Sequence, residues 1–260
     1  MARPASQSNP TIAAVRAYWN VRIHDLEVTK HPVGSVGFFA DLDEYHFDKL
    51  HHLLRLIPFD NYSGRRVLDV GCGAGTDLVR FARHGARVTG VDIADSAIGL
   101  ARLNVRHHGL SAGLLVADGE RLPFADGAFD LVYAHGVVQY TADGRRLVEE
   151  CRRVLRPGGQ AIFQAYNRLS WLNALSKIMK VDLEHADAPA LCTYSIGEFR
   201  SLLTGFSRVR ITLERFPVKS RLHGGWKGTL YNGVFVGAFN ILPRALVRPL
   251  GWHLLAFCER

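Results

Sequence analysis

Cysteine is scarce in this 260-residue sequence: Cys72, Cys151, Cys192 and Cys258 stand singly, with no C-x-x-C pair and no histidine at metal-finger spacing. Neither a disulfide framework nor a zinc ribbon is indicated, and a reducing cytoplasm is the expected location. A secretory signal is also lacking. In MARPASQSNPTIAAVRAYW, Arg16 interrupts the apolar stretch before a signal core can form. The uncharged run at 229–243 has 15 residues, short of the ~20 needed to span a bilayer. Acids are missing from one region altogether, since none occurs between Glu214 and Glu259.

What is present is close to average soluble usage, with 48% hydrophobic and 22% charged residues, 25 Gly and 10 Pro. That excludes disordered and collagenous classes. A chain of this length buries roughly 70–75% of its unfolded surface, so folding needs no metal or disulfide staple. The net charge of +8 is localised: residues 1–199 hold equal numbers of both signs, whereas 200–260 hold 10 Lys+Arg against Glu214 and Glu259. There Arg215, Lys219, Arg221, Lys227, Arg244 and Arg248 alternate with Phe216, Trp226, Tyr231, Phe235, Phe239 and Trp252. Such interleaving suits an anionic ligand or lipid headgroups.

From Arg65 onward, short β-branched runs alternate with helical patterns, the mark of βαβ units and a parallel sheet. Strands are expected at 65–70, 87–93, 112–118, 129–135, 160–166, 207–218 and 251–259. Helices are expected at 76–85, at 95–109 capped by Asp95 or Ser96, at 145–159, at 170–180, and at 195–206 with a Ser195/Glu198 capping box. The N-terminal 60 residues read as helical around 11–27 and 42–57. A helix over 38–54 would put Tyr45, Lys49 and His52 along one side. Residues 167–194 read as a lid, and 219–250 form a connection long enough to bind something. Four parts follow: a helical cap (1–60), a core (61–166), a lid insertion (167–194), and a final part (195–260) carrying the basic aromatic insertion at 219–250.

VLDVGCGAG places Gly71, Gly73 and Gly75 at a strand-to-helix turn, where backbone N–H groups can approach a ligand. The spacing is G-x-G-x-G and lacks the third glycine of a dinucleotide fingerprint, which disfavours a nicotinamide or flavin cofactor. Asp92 ends the second strand and suits the two hydroxyls of a ribose. Asp118 ends the third, where a carboxylate can accept from an adenine amine while the Gly119 N–H faces the ring.

VLDVGCGAG, GVDIADSAI, VADGERLPFADGAFDLVYAHGVV and RRVLRPGG together resemble the core of class I S-adenosylmethionine-dependent methyltransferases, in the ubiquinone/menaquinone-type small-molecule subgroup. The resemblance implies a Rossmann-like α/β fold: a seven-stranded, mostly parallel sheet with helices on both faces and an antiparallel last strand. It implies S-adenosyl-L-methionine as cofactor and S-adenosyl-L-homocysteine as product. Cofactor contacts are then expected at Gly71, Cys72, Gly73, Gly75, Asp92, Ile93, Asp118, Gly119 and Glu120, with Asp69 and His135 near the methionine part. Tyr18 is expected from an N-terminal segment closing over them. Where the family often carries a histidine pair, this chain has Gln139-Tyr140.

Methyl transfer from a sulfonium is an in-line displacement, so positioning and water exclusion do most of the work. If the acceptor is a phenol, enol or amine, His46, His135 and Tyr140 are the candidate bases. The cluster Asp41, Asp43, Glu44, His46 and Asp48 matches no recognised ligand spacing, so no metal is assigned. A small hydrophobic acceptor, neutral or anionic, is the leading substrate class. A nucleic-acid substrate is disfavoured, because Ala134-His135-Gly136-Val137 stands where Asn-Pro-Pro-aromatic or Pro-Cys would. The remaining alternative is a membrane-peripheral module that keeps the fold without chemistry. Residues 229–243 then read either as a helix walling the acceptor pocket or as an interfacial helix, within a contact region at 215–252.

Overall fold

After Arg66, every residue of strand β1 (Arg66–Val70) is buried, as a strand covered by helices on both faces must be. The structure is a computed structural model that describes residues 11–23, 25–180, 183, 185–217 and 225–260. β1 lies inside one sheet with β2 (Arg87–Asp92), β3 (Gly113–Val116), β4 (Phe129–Ala134), β5 (Leu155–Asn167), β7 (Arg208–Glu214) and β8 (His253–Glu259). The order is β3-β2-β1-β4-β5-β8-β7, and the two-residue β6 (Thr193–Tyr194) pairs with the end of β5. The last strand, β8, is antiparallel to both neighbours, while β1 to β5 pair in parallel. The expected seven-stranded architecture is therefore present, with β6 as a short addition.

The chain moves outward from β1 to β2 and β3, then returns to place β4 on the other side of β1. That reversal opens a crevice at the carboxyl edge of β1 and β4. Strand alternation divides the core. Leu68 and Val70 pack on one face with Leu147 and Cys151 of α6 (Gly144–Val154) and Phe199 of α8 (Ile196–Leu202). Val67 packs on the other with Leu78 and Phe81 of α4 (Thr76–Arg83) and Ile98 of α5 (Asp95–His107). The turn-rich segment before β4 is fastened by Arg153, which donates to the carbonyls of Leu122 and Phe124 and to Asp126 and Glu150.

Several boundaries differ from the sequence reading. The helix expected over 145–159 ends at Val154, and the chain is extended at Leu155 (φ −73°, ψ 143°). Pro157 disfavours a helical residue before it, so Arg156-Pro157-Gly158-Gly159 opens β5 instead. The helix expected over 38–54 breaks at Leu50 (φ −119°, ψ 38°) into α2 (Val36–Lys49) and α3 (His52–Leu56). The break lets Phe47, Leu50 and Leu53 all reach one core cluster, and it separates His52 from the helix of Tyr45 and Lys49. α5 starts after Ala94 with no side-chain cap, since Asp95 pairs with Arg16 instead. The strand expected to reach residue 218 stops at Glu214, because Arg215 adopts a left-handed φ of 59°.

Near the N-terminus, α1 (Ile12–Asn20) is capped by Thr11, whose side chain accepts from the Ala14 N–H. α7 (Trp171–Met179) follows β5, and the capping box of α8 forms as expected. Beyond β7 the chain is helical from α9 (Gly225–Leu230) through a π turn to α10 (Val236–Ile241), followed by α11 (Arg244–Val247). Val236, Phe239 and Val247 of this segment are buried, whereas Leu230, Val234, Ile241 and Leu246 are exposed. Trp171 holds its inner face through Tyr231, Phe235 and Phe239. Lys219 and Arg221 lie outside the described residues, as do the side chains of Trp226, Lys227 and Arg244. No helix among the described residues is long and apolar enough to cross a membrane. All four cysteines are free.

Leu68 is fully buried at the centre of the sheet. Truncating it (Leu68→Ala) should lower unfolding free energy by about 2–5 kcal/mol through lost transfer energy and a residual cavity. Urea unfolding with an unchanged m-value tests this, and a smaller loss would mean that the two faces repack around the site.

Candidate active site

The turn that leaves β1 is tied to its neighbour. Gly71 N–H and Cys72 N–H both donate to the Val91 carbonyl, at 2.7 and 3.0 Å. Gly71 has a φ of +69°, and a Cβ there would meet Cγ2 of Val137 at 2.2 Å. Gly73 has a φ of +53° and nothing within 4 Å of a hypothetical Cβ. The open space beside Gly73 belongs to a cavity of about 270 Å³ at the carboxyl edge of the sheet.

Ten of the residues singled out from sequence line this cavity: Gly71, Cys72, Gly73, Asp92, Ile93, Asp118, Gly119, His46, His135 and Tyr140. Asp92 is spanned by two amides, with Oδ2 accepting from Gly73 N–H and Oδ1 from Ala94 N–H, both at 2.9 Å. Burial nevertheless pushes its pKa up, against the lowering effect of these bonds. Asp118 uses Oδ1 to accept from Glu120 N–H at 2.9 Å. The Cys72 thiol is pushed well up, by burial first and then by the charges of Asp69 and Asp92.

Four of the expected contacts stand elsewhere. Tyr18 donates to Asp187 at 2.7 Å, so its hydroxyl joins α1 to the 185–187 turn rather than facing the cavity. Glu120 is turned toward the start of α6, where it accepts from the Thr141 hydroxyl and from Asp143 N–H. Gly75 caps α4 against α5, where a Cβ would lie 3.3 Å from Ala101. Asp69 alternates to the opposite face from Leu68 and Val70, in register with Tyr133. Burial, with Asp77 and Asp92 nearby, pushes its carboxyl well above the usual range.

A cluster of titratable groups forms around a residue that the sequence reading passed over, Asp77. It sits in the first turn of α4 and is buried. Its Oδ1 lies 3.2 Å from His46 Nε2, its Oδ2 accepts from the Tyr133 hydroxyl at 3.2 Å, and His135 Nδ1 is 3.9 Å from Oδ2. Burial alone would lower the His46 pKa, but the charge and hydrogen bond of Asp77 outweigh it and leave it raised above 6.5. Burial alone would raise Asp77, and His46, His135 and Tyr133 leave it lowered instead. Each partner thus favours the charged form of the other, His46 as imidazolium and Asp77 as carboxylate. Ligand-type atoms of His46, Asp77 and His135 lie within 4.8 Å of one another, the only such trio among the described residues. The expected acidic cluster on α2 has dispersed: Asp41 accepts from Thr29, Asp43 faces Arg80, and only His46 points inward.

From His135 the rings continue inward, with centroids 5.9 Å from His46 and 5.8 Å from His253, and His253 lies 5.5 Å from His52. Burial pushes His253 well below 6.5 and His52 down to about 3, so both are neutral. Gln164, Tyr166, Arg215 and His253 line this part of the cavity, and Trp19 and Tyr140 line it from above. Neither Asp77 nor His253 was singled out from sequence, whereas Arg215 belongs to the basic aromatic set read there as suited to an anionic ligand. The available signal was a polar residue on an otherwise apolar face: Asp77 beside Leu78 and Phe81, and His253 at the head of the buried run Leu254-Leu255-Ala256.

Residues 68–163 match the family model described as a methyltransferase domain. The core of this chain is a class I methyltransferase domain. The cofactor of such a domain is S-adenosylmethionine. Among curated proteins, the chain is 36% identical over 128 residues to the ubiquinone biosynthesis O-methyltransferase of Aromatoleum aromaticum, covering 47% of this chain and 55% of that protein. It is 35% identical over 145 residues to the enzyme of the same name from Sodalis glossinidius, covering 51% and 57%. The chain thus spans just over half the length of these curated relatives. The fold is similar to magnesium protoporphyrin IX methyltransferase from Synechocystis, at TM-score 0.62 and 16% identity, covering 96% of this chain and 100% of that one. It is also similar to geranyl diphosphate C-methyltransferase from Streptomyces coelicolor, at TM-score 0.61 and 17% identity, covering 98% of each.

The methyltransferase domain keeps the space beside Gly73 clear, and a side chain there would fill it from a left-handed residue. Gly73→Val should stay folded, less stable by roughly 1–2 kcal/mol from the strained φ, and should lose binding of S-adenosylhomocysteine by calorimetry. Retained binding would place the cofactor away from this turn.

Proposed function

We propose that this protein transfers the methyl group of S-adenosylmethionine to a hydroxyl of a small, hydrophobic acceptor. The observation that carries this reading is the single cavity joining the Gly73 cradle and Asp92 to the Asp77-paired His46 and an aromatic wall. The bound cofactor would supply a methyl group made electrophilic by its sulfonium. Asp92, on the cavity wall at the end of β2, would hold the ribose hydroxyls, and Asp118 with Gly119 would meet the adenine edge. The turn at 71–73 presents backbone where side chains would otherwise intrude. Trp19, Tyr140 and Tyr166 would exclude water and hold an apolar acceptor in line.

An acceptor hydroxyl must lose its proton, and the curated relatives are named for O-methylation. His46 is the base best placed for this, because Asp77 engages Nε2 and the neutral ring then carries its basic lone pair on Nδ1. His135 lies across Asp77 from it and completes the pair of candidate imidazoles, and Tyr140 stands 3.3 Å from the Tyr166 hydroxyl. Since the His46 pKa is raised, its basic form accumulates only above pH 6.5. With a phenolic acceptor, kcat/KM should therefore climb with pH along a limb centred above 6.5. Asp77→Asn should move that limb to lower pH, as burial then dominates, and should reduce the plateau rate. Flat profiles in both proteins would remove His46 as base. Chelation with EDTA separates a second use of the same trio: loss of turnover restored by a divalent cation would assign His46, Asp77 and His135 to a metal.

The roof and the C-terminal helices bear on how the acceptor arrives. Residues 167–194 contribute His185, whose ring meets Trp19 and Tyr140 at 4.9 and 6.0 Å, which supports their reading as a lid. The exposed Leu230, Val234, Ile241 and Leu246 support peripheral contact with a lipid surface by a cytoplasmic protein. Replacing Val234 and Ile241 by serine should then abolish co-sedimentation with anionic liposomes while leaving turnover of a soluble acceptor intact. Wild-type protein that stays in the supernatant would reduce this face to ordinary surface.

A further inference from the structure

We propose that Arg215 is the anchor for a carboxylate on the acceptor, so that this enzyme methylates an apolar acid rather than a neutral molecule. The inference rests on the reading of the cavity as a methyl-transfer site and adds its substrate class. Arg215 lines the cavity directly after β7, beside His253, which pairs with the preceding residue Glu214 across the β7–β8 ladder. Its backbone is held in place from two sides, with its carbonyl accepting from Trp171 Nε1 at 2.9 Å and Trp252 N–H at 3.3 Å. Those bonds fix a left-handed residue (φ 59°) that a non-glycine side chain seldom adopts.

Among the described residues the guanidinium has no counter-charge. Its Nη1 lies 3.2 Å from His253 Nε2, and no carboxylate of a described residue is within ion-pair reach. The other cations on the cavity wall differ: Lys49 pairs with Asp25 at 2.9 Å, and Arg22 pairs with Asp187. Asp77 is already engaged by His46 and Tyr133. The imidazoles around Arg215 are neutral, since burial holds His253 and His52 well down. Arginine keeps its charge under all ordinary conditions, so this half-buried cation, unpaired among the described residues, is available to an anion. Its planar fork matches a carboxylate bidentately.

The rings between anchor and base set the shape of the acid. From His46 to His135 to His253 are two centroid steps of 5.9 and 5.8 Å, ending at the guanidinium. Tyr166 stacks on His253 and on Trp252, at 5.9 and 4.3 Å, which makes that part of the wall flat and apolar. The class indicated is a hydroxylated aromatic acid, with the carboxylate on Arg215 and the reacting hydroxyl toward His46.

Calorimetry on the full chain, with and without S-adenosylhomocysteine, tests this with benzoate and its neutral isostere benzamide as probes. Wild-type protein should bind benzoate at least about tenfold more tightly than benzamide, the factor expected of one charge-assisted pair. Arg215→Gln should erase that preference without changing affinity for S-adenosylhomocysteine, and Arg215→Lys should restore part of it. Equal binding of the two probes to wild type, absence of benzoate binding, or benzoate binding unchanged in Arg215→Gln would each overturn the proposal. Benzoate preference in a protein that fails to bind S-adenosylhomocysteine would keep the anchor and overturn the methyl-transfer reading instead.

Discussion

One carbonyl governs the site. Val91 O receives both Gly71 N–H and Cys72 N–H, so the exit of β1 is locked onto β2 before α4 begins. Gly73 N–H then reaches Asp92, and α4 starts at Thr76 with Asp77 in its first turn. The same few atoms therefore set the turn proposed to cradle a nucleoside and the position of the carboxylate that pairs with His46. The lock also fixes the facing loop, since the space a Gly71 side chain would need is filled by a methyl of Val137. A shift in this turn would disturb the proposed cofactor cradle and the proposed base together, which is a reason for glycine at 71 independent of any ligand.

Three carboxylates sit close together under that turn, and burial would penalise all of them if charged. The structure resolves the conflict by concentrating the charge on one. Asp77 is held ionised by His46 and the Tyr133 hydroxyl, whereas Asp69 and Asp92 are pushed upward by burial. Asp69 is the more extreme, because it adds the fields of its two neighbours and gains no amide donors. A buried ion pair of this kind need not add stability over an apolar pair of the same size. Its value here is orientation, since it selects which imidazole nitrogen faces the carboxylate.

The sheet was legible because its determinants are local. Buried strands read as β-branched runs, crossover helices read at their 3.6-residue period, and the Ser195/Glu198 box forms where the spacing places it. Boundaries were less legible where tertiary packing outweighed local pattern. The helix break at Leu50 follows from three residues sharing one core cluster, which no window along the chain contains. In the site, residues attached to the backbone turn were readable: Gly71, Gly73, Asp92 and Asp118 all line the cavity. Those defined by meeting across the fold were not. Asp77 and His253 come from α4 and β8, and only the sheet order brings them together.

The cavity is also built unequally. Its floor rests on ladder hydrogen bonds, the Val91 carbonyl and buried side chains, each expensive to disturb because water cannot replace a lost partner. Its roof joins α1 to the 185–187 turn by Tyr18 and Arg22 on Asp187, an exposed set, together with edge-to-face contacts of Trp19 and His185. Exposed ion pairs are screened and contribute little. The proposed methyl transfer requires both properties at once: a rigid line between donor and acceptor, and a cover that closes out water yet admits the acceptor. Placing the strong contacts below and the weak ones above assigns precision to the sheet edge and access to the roof.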